Sequence, residues 1–130
     1  MPMKLYNRRQ FHRIDFEGLA NLDFIHGSYQ CCSIKNLSLT GMCVEGNFSK
    51  KDLTNCFVTI FHNEKSADNS LQAAAKVVWR NDQGVGLKFT NMSLENYELL
   101  QSTLAKKADQ PVVILREVPY SYPFEVNYNV

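Results

Sequence analysis

From Arg13 to Phe89 the chain is a succession of short runs in which apolar and polar residues alternate, each stopped by turn-forming residues. That pattern leaves few folds open. Alternation at period two marks strands with one buried face. Ile14, Phe16, Leu22 and Phe24 set the first run, with a bend at Gly18. His26-Gly27-Ser28 reads as a turn, followed by strands over 29–37 and 41–45. A polar stretch over 47–55 is loop-like. Cys56-Phe57-Val58-Thr59-Ile60-Phe61 is rich in β-branched and aromatic residues and reads as a strong strand. After a polar connection over 62–70, Leu71 to Arg80 and Val85 to Phe89 form a hairpin around Asn81-Asp82-Gln83-Gly84. Short strands at this spacing imply an antiparallel barrel or sandwich.

One segment changes period. Ser93 is placed to cap a helix, with Glu95 in the first turn facing the positive end of the helix dipole. Leu94, Tyr97, Leu100 and Leu104 recur at helical spacing and give a stripe that should dock on the sheet. Lys106 and Lys107 favour the negative end, and Pro111 marks a break beyond it. The expected organisation is a mobile basic arm over 1–12, the β-domain with its helix over 13–110, and an aromatic extension over 111–130. Strand character is possible within the extension at Val112 to Val118. Tyr120, Tyr122, Phe124 and Tyr128 are expected to pack on their own domain.

A chain of 130 residues with 45% apolar and 21% charged residues fits one domain. At this size about 65–70% of the unfolded surface is buried, enough for a core without staples. The apolar runs fall far short of the roughly 20 residues a membrane helix needs. The first residues carry no apolar stretch of a secretory signal, so a cytoplasmic location is expected. There the four cysteines (Cys31, Cys32, Cys43, Cys56) stay reduced and are expected as small buried hydrophobes. Without a C-x-x-C pair, and with histidines scattered at 12, 26 and 62, no metal site is expected. The N-x-S triplets at Asn36, Asn47 and Asn91 carry no meaning as glycosylation sites without secretion.

Net charge is +1, too small for a general polyanion binder, but Lys4, Arg8, Arg9 and Arg13 all precede the first acid, Asp15. An arginine fork donates paired hydrogen bonds to phosphate or to guanine O6 and N7, and its flat face stacks on bases. Most basic termini are nonetheless simply solvated. The second segment of interest is Asn36-Leu37-Ser38-Leu39-Thr40-Gly41, between two strands. By itself it is an ordinary Asx or Ser turn. Asn36 could also meet a base edge, Ser38 offers a hydroxyl, and Gly41 permits positive φ or a close approach to the backbone.

Taken together, Arg9-x-x-x-Arg13 followed by Asn36-x-Ser38-x-x-Gly41 resembles the signature of PilZ domains. The likeness extends to Val77-Val78-Trp79-Arg80, Gly84-Val85-Gly86-Leu87-Lys88-Phe89 and the Ser93 helix, about residues 4 to 107. The resemblance implies a mainly β fold, a six-stranded antiparallel β-barrel with one C-terminal α-helix. It also implies binding of the bacterial second messenger cyclic di-GMP. Arg9 and Arg13 would clasp guanine and phosphate from the arm, opposite Asn36, Ser38 and Gly41 on the barrel. Asn36 stands where many members carry Asp. Arg8, just before the motif, resembles members that hold a stacked pair of ligands. Trp79 reads as core by default, with stacking on a base as the alternative, and Arg80 could reach a phosphate.

The implied function is a sensor whose arm orders over the ligand and which signals to a separate protein partner. An adaptor of the same fold that does not bind the nucleotide is the alternative, followed by a nucleic-acid-binding protein. No nucleophile–base pair or phosphate-cradling loop suggests an enzyme, and no resident cofactor is expected beyond the ligand.

Overall fold

The computed structural model describes residues 14–49, 53–62, 70–107 and 124–127. Its strands are β1 (Ile14–Asp15), β2 (Gly18–Phe24), β3 (Gly27–Leu37), β4 (Gly41–Glu45), β5 (Asn55–His62), β6 (Leu71–Arg80), β7 (Gly84–Ser93) and β8 (Glu125–Asn127). Among the described residues one helix, α1 (Leu94–Lys107), follows β7 without a break. Six strands run in the order β3-β2-β5-β6-β7-β4, and β4 pairs back onto β3 to close an antiparallel barrel. β1 adds to the end of β3, and β8 adds to β7 in parallel.

Alternation decides which side chains fill the barrel. Ala20 and Leu22, Val58 and Ile60, Ala73 and Ala75, and Val85, Leu87 and Phe89 are all buried. The barrel is stoppered by α1, whose Tyr97, Leu100 and Leu104 are buried in the same core. Ser93 Oγ accepts the Asn96 N–H at 3.0 Å, the expected cap. Asn96 Oδ1 in turn accepts the Gln72 N–H of β6 at 3.1 Å, fixing the start of the helix to the barrel wall.

Several boundaries differ from the sequence reading. β3 starts at Gly27 rather than Tyr29, and β7 runs past Phe89 because Asn91 pairs with both Ala74 and Glu125. β8 was not foreseen. Before it, Phe124 makes edge contacts with Phe89 and Tyr97, at 6.0 and 5.6 Å between centroids, so this part of the extension packs on its own domain. The basic arm, the run over 112–118 and Tyr120, Tyr122 and Tyr128 lie outside the described residues.

The cysteine expectation holds for Cys43 and Cys56 and fails for the other two. Cys31 is exposed and Cys32 half-buried. The reason is a bulge between β2 and β3, where Cys31 takes a left-handed φ of 55° and its N–H is held by Asn21 Oδ1 at 2.8 Å. No helix among the described residues is long and apolar enough to cross a membrane.

Candidate functional site

The turn from β3 to β4 carries three of the expected site residues, and its geometry follows from one hydroxyl. Ser38 is buried, its N–H donating to the Gly41 carbonyl at 2.9 Å. Its Oγ accepts the N–H groups of Thr40 and Gly41, each at 3.2 Å. The hydroxyl proton is left to the Gly41 carbonyl or Thr40 Oγ1, both at 3.3 Å. One donor and two acceptor sites are thereby filled, so Ser38 holds the turn in shape. Gly41 has no positive φ. It is required by close approach, because a β-carbon there would run into the Leu87 carbonyl of β7. The Thr40 carbonyl, receiving the Phe89 N–H at 2.8 Å, ties the turn to the same strand.

Asn36, at the end of β3, lies opposite Cys43 on one side and Asp15 on the other. It is half-buried, and its side-chain amide makes no hydrogen bond among the described residues. The same transverse row continues from Cys43 to Gly86 and from Gly86 to Trp79. Gly84 and Gly86 leave a stretch of the outer face of β7 bare, beside Cys43 and Glu45 of β4. The Trp79 indole lies across Gly84 and Gly86 on that floor.

Trp79 is therefore not a core residue: it is 42% exposed, and Val78 beside it is 54% exposed. A register shift between Val77 and Trp79 inserts Val78 and breaks the alternation that pointed the indole inward. Two depressions flank the ring. One of about 190 Å³ is lined by Ser38, Thr40, Gly41, Trp79 and Lys88. The other, of about 430 Å³, is lined by Lys35, Glu45, Trp79, Asn81 and Gln83. Arg80 Nη1 donates to the Ser49 carbonyl at 3.0 Å, which turns it toward the loop after β4.

Arg8, Arg9 and Arg13 lie outside the described residues. β1, where the described chain begins, runs antiparallel to β3 with Ile14 opposite Leu37, beside Ser38. Lys88 lines the depression beside Ser38 and Trp79 and was not singled out in the sequence. The alternation of Val85, Leu87 and Phe89 as inward residues was the available signal for it.

This wall can bind a flat, polar, anionic molecule: it offers an exposed indole, a free amide and nearby cations. No cluster of metal-ligating side chains occurs among the described residues. Burial, with Asp23 nearby, pushes the Cys56 thiol up to about 12, far from a reactive thiolate. The half-buried Cys32 is raised too, by burial and then by Cys31.

The family described as PilZ domain matches residues 7–106, a span containing both arginine and Asn-x-Ser-x-x-Gly segments. No curated protein matches. The crystal structure of the Legionella uncharacterized protein Lpg0364 aligns at a TM-score of 0.49 and 16% sequence identity, covering 73% of this chain and 91% of that one.

Proposed function

The chain belongs to the PilZ domain family, and from that premise we propose that it is a cyclic di-GMP sensor that signals to a separate protein partner. Cyclic di-GMP binding is the role of the family. What supports the reading for this chain is the pairing of Ile14 with Leu37, which sets Ile14, the residue that follows the Arg-x-x-x-Arg segment in sequence, beside the Asn36–Gly41 turn. Arg9 and Arg13 would take guanine and phosphate, the free amide of Asn36 a guanine edge, and Trp79 the face of a base. Ser38 and Gly41 would act by shaping the turn. Arm ordering on ligand binding would supply the switch, and Arg8 would allow a second, stacked ligand.

A second reading, an adaptor of this fold that leaves the nucleotide unbound, is favoured by the Ser38 hydroxyl, which is already filled within the turn. Calorimetric titration of the full chain with cyclic di-GMP, alongside Arg9→Ala, separates the two. The sensor reading expects saturable binding that the variant loses. Absence of binding to the wild type overturns it in favour of the adaptor. A stoichiometry of one ligand per chain would remove the role given to Arg8.

A further inference from the structure

The row next to Trp79 is cationic and has no counter-charge. Lys88 on β7 sits opposite Gly41 of β4 on one side and Lys76 of β6 on the other, and Lys76 sits opposite Asn55 of β5. Four neighbouring strands thus carry Gly41, Lys88, Lys76 and Asn55 side by side, with no carboxylate in the row. Leu87 and Phe89 are buried, so Lys88 faces outward, where it lines the depression beside Ser38, Thr40 and Trp79. Both lysines are exposed, and neither makes a hydrogen bond or ion pair among the described residues.

Like charges directly opposite each other on adjacent strands weaken the free sheet. No described residue pairs with these two exposed ammonium groups, so an anion bound at this rim would relieve their repulsion. Backbones of paired strands lie about 5 Å apart, so two flexible lysine side chains can converge on one anion. The lysine head is a point charge with three donors, suited to a phosphodiester oxygen and undemanding in geometry. We infer that Lys88, supported by Lys76, is a phosphate-binding residue of this site, holding one phosphodiester of the bound nucleotide against the β6–β7 wall. The inference rests on the proposed reading of the site as one for cyclic di-GMP. It adds a basic contact from the barrel itself to those proposed for the arginines.

The test is titration of the full chain with cyclic di-GMP at low and physiological salt. It compares wild type, Lys88→Gln, Lys88→Arg, Lys76→Gln, the double glutamine variant and Arg9→Ala, with melting temperatures measured without ligand. Removing a charge-assisted contact at Lys88 should weaken binding about tenfold and flatten its salt dependence, with Lys76→Gln costing less and Lys88→Arg close to wild type. Melting temperatures of the glutamine variants without ligand should equal or exceed that of the wild type, because a repulsion has been removed. Unchanged affinity in the double variant, with Arg9→Ala inactive, overturns the lysine assignment and leaves the site reading standing. Lost affinity accompanied by a lower melting temperature and no rescue by arginine assigns Lys88 to structure and also overturns it. A wild type that does not bind removes both.

Discussion

The indole of Trp79 lies across Gly86 of the neighbouring strand, so close that a β-carbon at position 86 would enter the ring. Trp79 can be flat and exposed only because its cross-strand partner has no side chain. Gly86→Ala should therefore lift the indole off the wall while leaving the barrel closed, since alanine is otherwise at least as well accommodated in a strand. The emission of the sole tryptophan should shift to the red. Affinity for cyclic di-GMP should fall about tenfold, as stacking on one base is worth ~1–3 kcal/mol. Trp79→Ala should give the same loss. Wild-type affinity in either variant would exclude stacking on Trp79.

Asn36 and Asp15 face each other across β1 and β3. An aspartate at 36 would set two carboxylates directly opposite, which is unfavourable on a sheet. An amide at position 36 avoids that pairing. Asn36→Asp should destabilise the free protein by roughly 0.5 kcal/mol, and Asp15→Asn in the same chain should restore it. The double variant should bind cyclic di-GMP more tightly than wild type, because a carboxylate accepts from guanine N1–H and N2–H₂ with charge assistance. Denaturant midpoints and titrations of the wild type, Asn36→Asp and the double variant check both halves.

The barrel was legible because β2, β5 and β6 alternate between buried and open positions along most of their length, and the periodicity of α1 because Tyr97, Leu100 and Leu104 share one stripe. What escaped the sequence depends on partners remote along the chain. β8 is three residues long and exists through pairing with Asn91, Met92 and Ser93. The left-handed Cys31 is held by a side chain ten residues earlier. Trp79 was misread as core because one inserted residue, Val78, breaks an alternation that otherwise holds along β6. At the site, the Asn-x-Ser-x-x-Gly pattern located the turn, while the work of Ser38 and Gly41 became visible only with β7 alongside.

Ser38 and Gly41 should separate from the ligand-facing residues by what their loss does to the free protein. Ser38→Ala strands the Thr40 and Gly41 N–H groups and should cost about 1–3 kcal/mol. Gly41→Ala forces β4 away from the Leu87 carbonyl, a backbone clash that no rotamer relieves, and should cost several kcal/mol or prevent folding. Urea unfolding followed by circular dichroism measures both. Asn36→Ala, whose amide makes no hydrogen bond among the described residues, should leave stability within about 0.5 kcal/mol of wild type.

Phe124 ties the C-terminal extension to the barrel through Phe89 and Tyr97, both fully buried. Phe124→Ala removes a partly buried ring from that junction and should cost about 2–3 kcal/mol, somewhat less than truncation of a fully buried phenylalanine. Hydrogen exchange should quicken at Val126 and Asn127 of β8 before it changes in β5, because β8 pairs with β7 alone. Unchanged exchange in β8 would show that its pairing does not depend on this ring.

Alkaline stability should turn on Cys56, which points into the core from β5. Burial, and next the Asp23 carboxylate, push its thiol up to about 12 in the folded protein, whereas an unfolded thiol ionises near 8.5–9. Between those values the native state keeps a proton that the unfolded state has lost. Stability from this group is therefore complete below about pH 8.5 and declines as pH rises toward 12. Cys56→Val, similar in volume and unable to ionise, should lack that decline, and titrations common to both chains cancel in the comparison. The wild type should lose ground to the variant above pH 9, at a slope approaching 1.4 kcal/mol per pH unit. Asp23→Asn should keep that slope and end the decline at a slightly lower pH, since burial is the larger cause of the raised thiol. Parallel curves for wild type and Cys56→Val between pH 8 and 10.5 would show that the thiol is not held protonated by the fold.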